Sequence, residues 1–475
     1  MGQEIDRTRF TAEDFARFRR RVAAETEDLA RRFARCPPEP DRYVAGFELE
    51  ACLVRRDDLR PLPANTRFLA RFDPALATAE LAAFNVEFNT PPRALRGDCL
   101  RALHAHLADT LARARTVAAA LDGDIVVCGI LPTLREADLS LAHMSPMKRY
   151  QALNEQILAL RGGAPLRLDI KGRSHLVTEH RDVMLEAAAT SFQLHYKPPC
   201  RRVRAAYNAS LLLSAPLVAA GANSPFLFGH DLWDETRIPL FEQSVEAGGY
   251  GATAHGPLHR VSFGTGYARR SILEVFRENV EHFPPLLPLL QDEAAGPYAH
   301  LRLHNGTLWR WNRPLVGFDA DGTPHIRLEH RVLPGGPSVS DMIANAALYY
   351  GLVRHFEEID CTQLEFALAR DNFYEAARLG LDAHVTWLDD ARHNLRELLL
   401  RHLLPAARAG LDALRIDPDD RDRYLGIIEA RVASRQNGAR WQRQALPRCD
   451  GDFTELTRRY HAGQCADRPV HTWET

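Results

Sequence analysis

Apolar and polar residues alternate one by one along five short stretches of the chain, and over longer stretches the apolar positions recur every three or four residues. The first alternating stretch runs Tyr43-Val-Ala-Gly-Phe-Glu-Leu-Glu-Ala-Cys-Leu-Val54. Side chains two apart in a strand share a face, so Glu48 and Glu50 stand side by side while Phe47, Leu49 and Leu53 face the other way. The second, Glu80 to Pro92, puts Phe84, Val86 and Phe88 on one face and Asn85, Glu87 and Asn89 on the other. Glu80 is out of phase with Glu87 and reaches the same place only from a loop or bulge. The third stretch aligns Gln193, His195 and Lys197, the fourth His300, Arg302 and His304, and the fifth Arg327, Glu329 and Arg331. Helical periodicity predicts helices over 11–34, 95–121, 147–160, 201–220, 338–357, 362–380 and 388–411. Further strands are expected at 124–131 and 307–313, and the charged segment 412–475 reads as a helix followed by a tail.

Strands spread among helices at irregular spacing favour an α+β fold over a regular βαβ repeat. None of the Pro- and Gly-rich joints (36–40, 161–165, 248–257, 284–297) looks like a linker, because strands with matching polar faces lie on both sides of them. A single domain over 1–475 is therefore expected, with a sheet core at about 43–345 and a helical part at about 346–475. Net charge is −2, from 60 basic and 62 acidic residues, which leaves no global field to gather nucleic acid or an acidic membrane. No apolar run reaches about 18 residues and the N-terminus lacks a signal-peptide core, so the protein reads as cytoplasmic with no membrane span. The eight cysteines are scattered without a C-x-x-C, which argues against a zinc knuckle and, less strongly, against a disulfide framework. Nothing in the sequence decides between a monomer and a homo-oligomer.

One alternating strand is explained by a sheet with a wet face. The set is not, because its polar positions carry Glu, Gln, Asn, His and Arg rather than Thr, Ser and Lys. Two adjacent carboxylates on a half-buried face call for protonation or a cation. Hard divalent cations prefer oxygen ligands, and arginine forks hold phosphate or carboxylate, so this mixture suits metal-assisted phosphoryl transfer. There is no G-x-x-x-x-G-K-[ST] and no H-E-x-x-H. Phosphates would instead be held by metals and by basic side chains of the sheet, with Lys197 and Arg327 as candidates and Gln193 as a substrate contact. The segment Ala222-Asn-Ser-Pro-Phe226 either orients substrate through Asn223 and Ser224 or is an ordinary Ser-Pro turn. Gly248 to Gly256 is either a lid over a nucleotide or a surface loop. Cys52 is expected to serve packing.

Gly46-Phe-Glu-Leu-Glu50, the Glu80/Glu87 pair before Thr90-Pro-Pro, the His195 strand, Ala222-Asn-Ser-Pro-Phe226 and Glu329-His-Arg331 follow one another over residues 43–345. This ordered set resembles the glutamate–cysteine ligase family, especially its carboxylate–amine ligase branch. The resemblance implies a glutamine-synthetase-like fold, a curved and mainly antiparallel sheet with flanking helices. It implies Glu48, Glu50, Glu80, Glu87 and Glu329 as ligands of Mg²⁺ (or Mn²⁺) and Arg331 as a contact of the ATP γ-phosphate. His195 would lie beside the metal–phosphate site, and Arg302 would meet an amino-acid carboxylate or phosphate. The implied reaction is ATP-dependent amide formation between the γ-carboxylate of glutamate and an amine such as cysteine, through an acyl phosphate, as in glutathione biosynthesis. The alternatives are another acid or amine, or a non-catalytic relative that binds nucleotide or amino acid.

Overall fold

Four of the five alternating stretches yield strands, and these assemble into one sheet. The computed structural model describes residues 4–34, 36, 42–248, 250–253, 256–291 and 296–475. Eight strands form the main sheet: β1 (Val44–Arg55), β2 (Ala77–Ala79), β3 (Asn85–Asn89), β4 (Arg93–Ala94), β5 (Gly123–Val126), β6 (Phe192–Lys197), β7 (Asn312–Phe318) and β8 (Pro324–His330). Their order is β7-β8-β6-β1-β3-β2, with β4 and β5 pairing on other parts of β1, and every pairing is antiparallel. The sheet is curled into a half-barrel, and the fold is α+β as expected.

The apolar face carries Phe47, Leu49, Phe88, Phe192, Leu194 and Tyr196, all at most 2% exposed. The helices that flank the sheet are, in chain order, α1 (Ala12–Phe33), α2 (Cys99–Ala119), α3 (Lys148–Leu160), α4 (Val203–Gly221), α5 (Arg237–Ser244), α6 (Ala299–Gly306) and α7 (Val339–Phe356). Helix α7 is apolar nearly all round because it is buried nearly all round. Its Tyr350 hydroxyl donates to Gly46 O (2.9 Å) and the Tyr350 ring stacks on Tyr196 (6.2 Å). Ser338 caps the helix by accepting from Asp341 N. A helix spanning Cys200–Gly221 is long and apolar enough to cross a membrane, but 89% of its apolar window is buried inside the protein, as in a core helix.

Several expectations are corrected. The fourth alternating stretch is helical: it forms α6, with His300, Leu301 and His304 buried and Arg302 exposed. Its histidines tie helices together, His300 Nδ1 to Glu25 of α1 (2.6 Å) and His304 Nε2 to Asn279 O (2.9 Å). Five residues are too few to separate period two from period 3.6. The 388–411 helix begins late: a strand at Arg392–Asn394 precedes the helical run, which starts at Leu395. Strand β5 ends at Val126, short of the expected 131. The segment 412–475, expected as one helix and a tail, has its helix but not the tail: helices Pro418–Ser434, Gly438–Ala445 and Phe453–Cys465 pack through buried Trp441, Tyr460 and Trp473. Cys36 and Cys200 are joined in a disulfide, Cα–Cα 5.6 Å, a pairing that the scattered cysteines argued against only weakly. In the segment read as either a lid or a surface loop, Tyr250–Thr253 pairs with Gly256–Leu258, while residues 249, 254 and 255 lie outside the described residues.

Candidate active site

Strand β1 runs between β6 and β3, and the register decides which polar side chains meet. Glu50 lies opposite Glu87 of β3, and Glu48 opposite Gln193 of β6. Beyond β6, His195 lies opposite Glu329 of β8, which in turn lies opposite Arg313 of β7. Paired residues share a face, so these side chains, with Arg327 two before Glu329, form one polar surface. It is not a wet one. Strand β1 is buried along nearly its whole length, Glu48 is 6% exposed and Glu329 is fully buried.

Two groups of potential ligands result. Glu48, His195 and Glu329 bring ligand-type atoms within 4.8 Å of one another, and Glu50, Glu80 and Glu87 do the same. Glu80 arrives from the turn before β3, pinned where Ser145 Oγ donates to its backbone carbonyl.

In the first group Arg327 Nε donates to His195 Nδ1 (3.0 Å), which leaves the ring proton on Nε2, facing Glu48 Oε1 at 3.3 Å. Burial works to raise the Glu48 carboxyl, but the His195 ring beside it brings it down to about 2. Its other oxygen, Oε2, is buried and has no hydrogen-bond partner among the described residues. Glu329 accepts from Arg313 Nε and Nη2 (2.9 and 3.0 Å) and from Arg331 Nη1 (2.9 Å). Against the burial that opposes it, these two guanidiniums hold Glu329 well below the usual carboxylate range.

Among the described residues the hydrogen-bond donors of the second group are neutral. Glu50 accepts from Ser191 N (2.7 Å) and Gln193 Nε2 (2.8 Å); Glu87 accepts from Thr78 Oγ1 and Asn89 Nδ2 (both 3.1 Å). Burial, then the charges of Glu48 and Glu50, push Glu87 up to about 7. Burial, then Glu87 and Glu50, raise Glu80 well above its ordinary value. A further carboxyl, Glu186 on the short turn Met184–Ala188, is pushed up to about 8 by burial and by Glu50. Sequence reading missed it; the signal was a lone acid in the apolar run Val183-Met-Leu-Glu-Ala-Ala-Ala189.

Arg331 stands between the groups. Its Nη1 donates to Gln193 Oε1 and to Glu329, and its buried Nε has no partner among the described residues. A cavity of about 960 Å³ opens on the first group, with Tyr43, Gly46, Lys197, Arg327 and Arg354 in its wall. A smaller one of about 90 Å³ opens on the second, walled also by Arg149, Trp309, Arg313 and Arg331.

Other sequence candidates lie elsewhere. Lys197, in the wall of the larger cavity, is ion-paired with Asp319. Arg302 joins neither carboxylate group by a hydrogen bond or ion pair among the described residues; its guanidinium lies 5.6 Å over the Phe318 ring. Asn223 and Ser224 are fully buried and line neither cavity. Asn223 Nδ2 donates to Gly335 O and to the Tyr460 hydroxyl (2.7 Å each), and Ser224 Oγ accepts from Arg237 N (3.2 Å). They bind the fold together and do not face the polar surface.

The residues suit hard divalent cations. The donors are carboxylate oxygens, neighbouring hydrogen bonds orient them, and one buried oxygen lacks a partner among the described residues. Like charges this close repel by roughly 3 kcal/mol at an effective dielectric near 20, and a cation between them reverses the sign.

Over residues 44–467 the sequence matches the family model described as glutamate–cysteine ligase family 2. No curated protein sequence matches the chain. Among solved structures, a glutamate–cysteine ligase from Francisella tularensis in complex with AMP is similar, with a TM-score of 0.55 and 14% identity, each chain covered to 90%. A bifunctional glutathione synthetase from Pasteurella multocida has a TM-score of 0.45 at 12% identity, with 94% of this chain and 55% of that one covered. The ligase of the prokaryotic ubiquitin-like protein Pup, solved in complex with Pup, has a TM-score of 0.35 at 11% identity, with 89% and 72% covered. At 14% identity the first likeness is one of fold.

Proposed function

The chain belongs to glutamate–cysteine ligase family 2, and from that premise we propose that it joins the γ-carboxylate of glutamate to an amine, first of all cysteine, at the expense of ATP. The observation that carries this reading is a pair of orphaned buried atoms of opposite sign. Among the described residues Glu48 Oε2 lacks a donor and Arg331 Nε lacks an acceptor, while Glu329 sits between the two residues. A metal-bound phosphate brings the missing cation and the missing anion together.

Glu48 and Glu329 beside His195, and Glu50, Glu80 and Glu87, would hold Mg²⁺ or Mn²⁺, which supplies positive charge against the transferring phosphoryl group. The larger cavity has the volume of a nucleotide site, and Lys197 and Arg327 in its wall serve the phosphates. Arg331 neutralises charge growing on the γ-phosphoryl oxygens, held in place by Glu329 and Gln193. Glutamate enters from the smaller cavity, where Arg149 offers a cation for a carboxylate. An oxygen of its γ-carboxylate attacks the γ-phosphorus, ADP leaves, and the acyl phosphate forms. The neutral amine nitrogen then attacks the acyl carbon, phosphate departs with the bonding electrons, and the nitrogen gives up one proton to the departing phosphate or to solvent. No enzyme nucleophile is needed, in keeping with buried Cys52. The cytoplasm, with its Mg·ATP and free amino acids, is the compartment this chemistry suits.

The test is ADP release with Mg·ATP and glutamate across a panel of amines that includes cysteine, with products identified by mass. Cysteine-stimulated release with γ-glutamylcysteine is the expected result. Release with another amine keeps the mechanism and changes the acceptor. No release with any acid–amine pair would sink the ligase reading.

A further inference from the structure

A buried polar chain behind the active site is used by none of the chemistry above. Glu235 is fully buried and Arg237, the first residue of α5, is 2% exposed. Arg237 Nε donates to Glu235 Oε1 (3.1 Å), and Nη2 donates to the carbonyls of Val332 (2.6 Å) and Arg331 (3.2 Å). Glu235 Oε2 accepts in turn from Asn223 N (2.8 Å), so the Ala222-Asn-Ser-Pro-Phe226 segment anchors the pair from behind. Buried ion pairs of this kind are weak contributors to stability, because desolvation offsets their attraction and a packed apolar pair often does as well. Its location suggests another role.

Strand β8 ends at His330. The nitrogen of Arg331 is still held by Trp311 O (2.9 Å), but the next two carbonyls leave the ladder and take their hydrogen bonds from Arg237. One turn along the same helix, the Phe241 ring lies 5.9 Å from the Arg331 guanidinium carbon. Helix α5 therefore grips Arg331 twice, by its backbone through Arg237 and by its side chain through Phe241.

We infer that Arg237, anchored by Glu235, is a positioning residue that fixes the Arg331 peptide so that its guanidinium stays aimed between the two carboxylate groups. It touches no substrate and acts on phosphoryl transfer through Arg331. The inference rests on the ligase reading above, and the experiment separates the two.

The experiment measures kcat and KM for ADP release in wild type, R237M, R237K and E235Q, each also in an R331K background, with circular dichroism and melting on every variant. R237M is expected to lower kcat by about tenfold or more, with KM for ATP and for the acid within about twofold of wild type. R237K keeps a cation and donors near the carbonyls and is expected to recover most of the loss. In the R331K background R237M is expected to change kcat by less than about twofold, since a residue acting through Arg331 has little more to lose. Wild-type kcat in R237M, or an equal fold loss in both backgrounds, overturns the inference while leaving the ligase reading intact. Should R237M not fold, E235Q, which removes only the charge of the anchor, decides by the same comparison. A wild type without ADP release for any substrate pair removes the ligase reading and the inference together.

Discussion

Glu48 carries more of the proposed site than any other side chain, because it is the carboxylate with a buried oxygen left over. Removing its charge while keeping its shape is the informative change. Glu48→Gln is expected to reduce ATP turnover by about a hundredfold or more, with circular dichroism unchanged; near-wild-type turnover would contradict the metal-site assignment. At Glu329, alanine would strand Arg313 and Arg331 as buried unpaired cations and risk unfolding, so glutamine is the substitution to use there as well. At this scale the sequence was readable wherever strand alternation held. Glu48, Glu50, Glu87, Gln193, His195 and Glu329 share a face, as period two requires, and Glu80 joins from a turn, as its odd offset required. Glu186 was invisible because nothing periodic marks a single acid that a short helical turn carries into the site. Asn223 and Ser224 show the converse: polar residues at a turn signal that the core consumes.

Elements were legible in proportion to their length. The helix at 11–34 was foreshadowed by its cap residues and appears as α1, with Thr11 and Asp14 in a reciprocal capping box. By contrast, a five-residue window could not tell His300-Leu-Arg-Leu-His304 from a strand, although the i, i+4 pair His300 and His304 lines one face of α6. The 412–475 segment hid its helices because its few large buried residues, Trp441, Tyr460 and Trp473, are spread among charges. Helix α6 has a consequence of its own. Glu25 of α1 accepts from both His300 Nδ1 (2.6 Å) and Leu301 N (2.8 Å), so one side chain fastens α1 to α6. Glu25→Ala is expected to weaken that docking by about 1–3 kcal/mol. Amide hydrogen exchange over 12–33 should accelerate accordingly while kcat stays within about twofold of wild type. Unchanged exchange would mean that α1 is held by apolar packing alone.

Across the whole molecule, the acidic groups set stability against function. Glu87 and Glu186, pushed up to about 7 and about 8, bind protons in the folded state that the unfolded chain, near 4.5, has already released. Stability therefore falls as pH rises from about 4.5 towards 8, by about 3 kcal/mol for Glu87 alone, while Glu48, held at about 2, loses its contribution only below about 4.5. A bound cation needs the deprotonated carboxylates and relieves their repulsion. The melting temperature in EDTA should thus be lower at about pH 8 than at about pH 6, and added Mg²⁺ should raise it more at the higher pH. A Mg²⁺ effect equal at both would show that these carboxyls do not bind the metal. The central claim is that the two carboxylate groups and Arg331 serve transfer of the γ-phosphoryl group to a carboxylate. It is tested most directly by supplying glutamate labelled with ¹⁸O in its γ-carboxylate, with Mg·ATP and cysteine, and weighing the phosphate released. One ¹⁸O per phosphate is the predicted result, because the carboxylate oxygen that attacks phosphorus leaves with it. Unlabelled phosphate alongside amide formation would contradict the account.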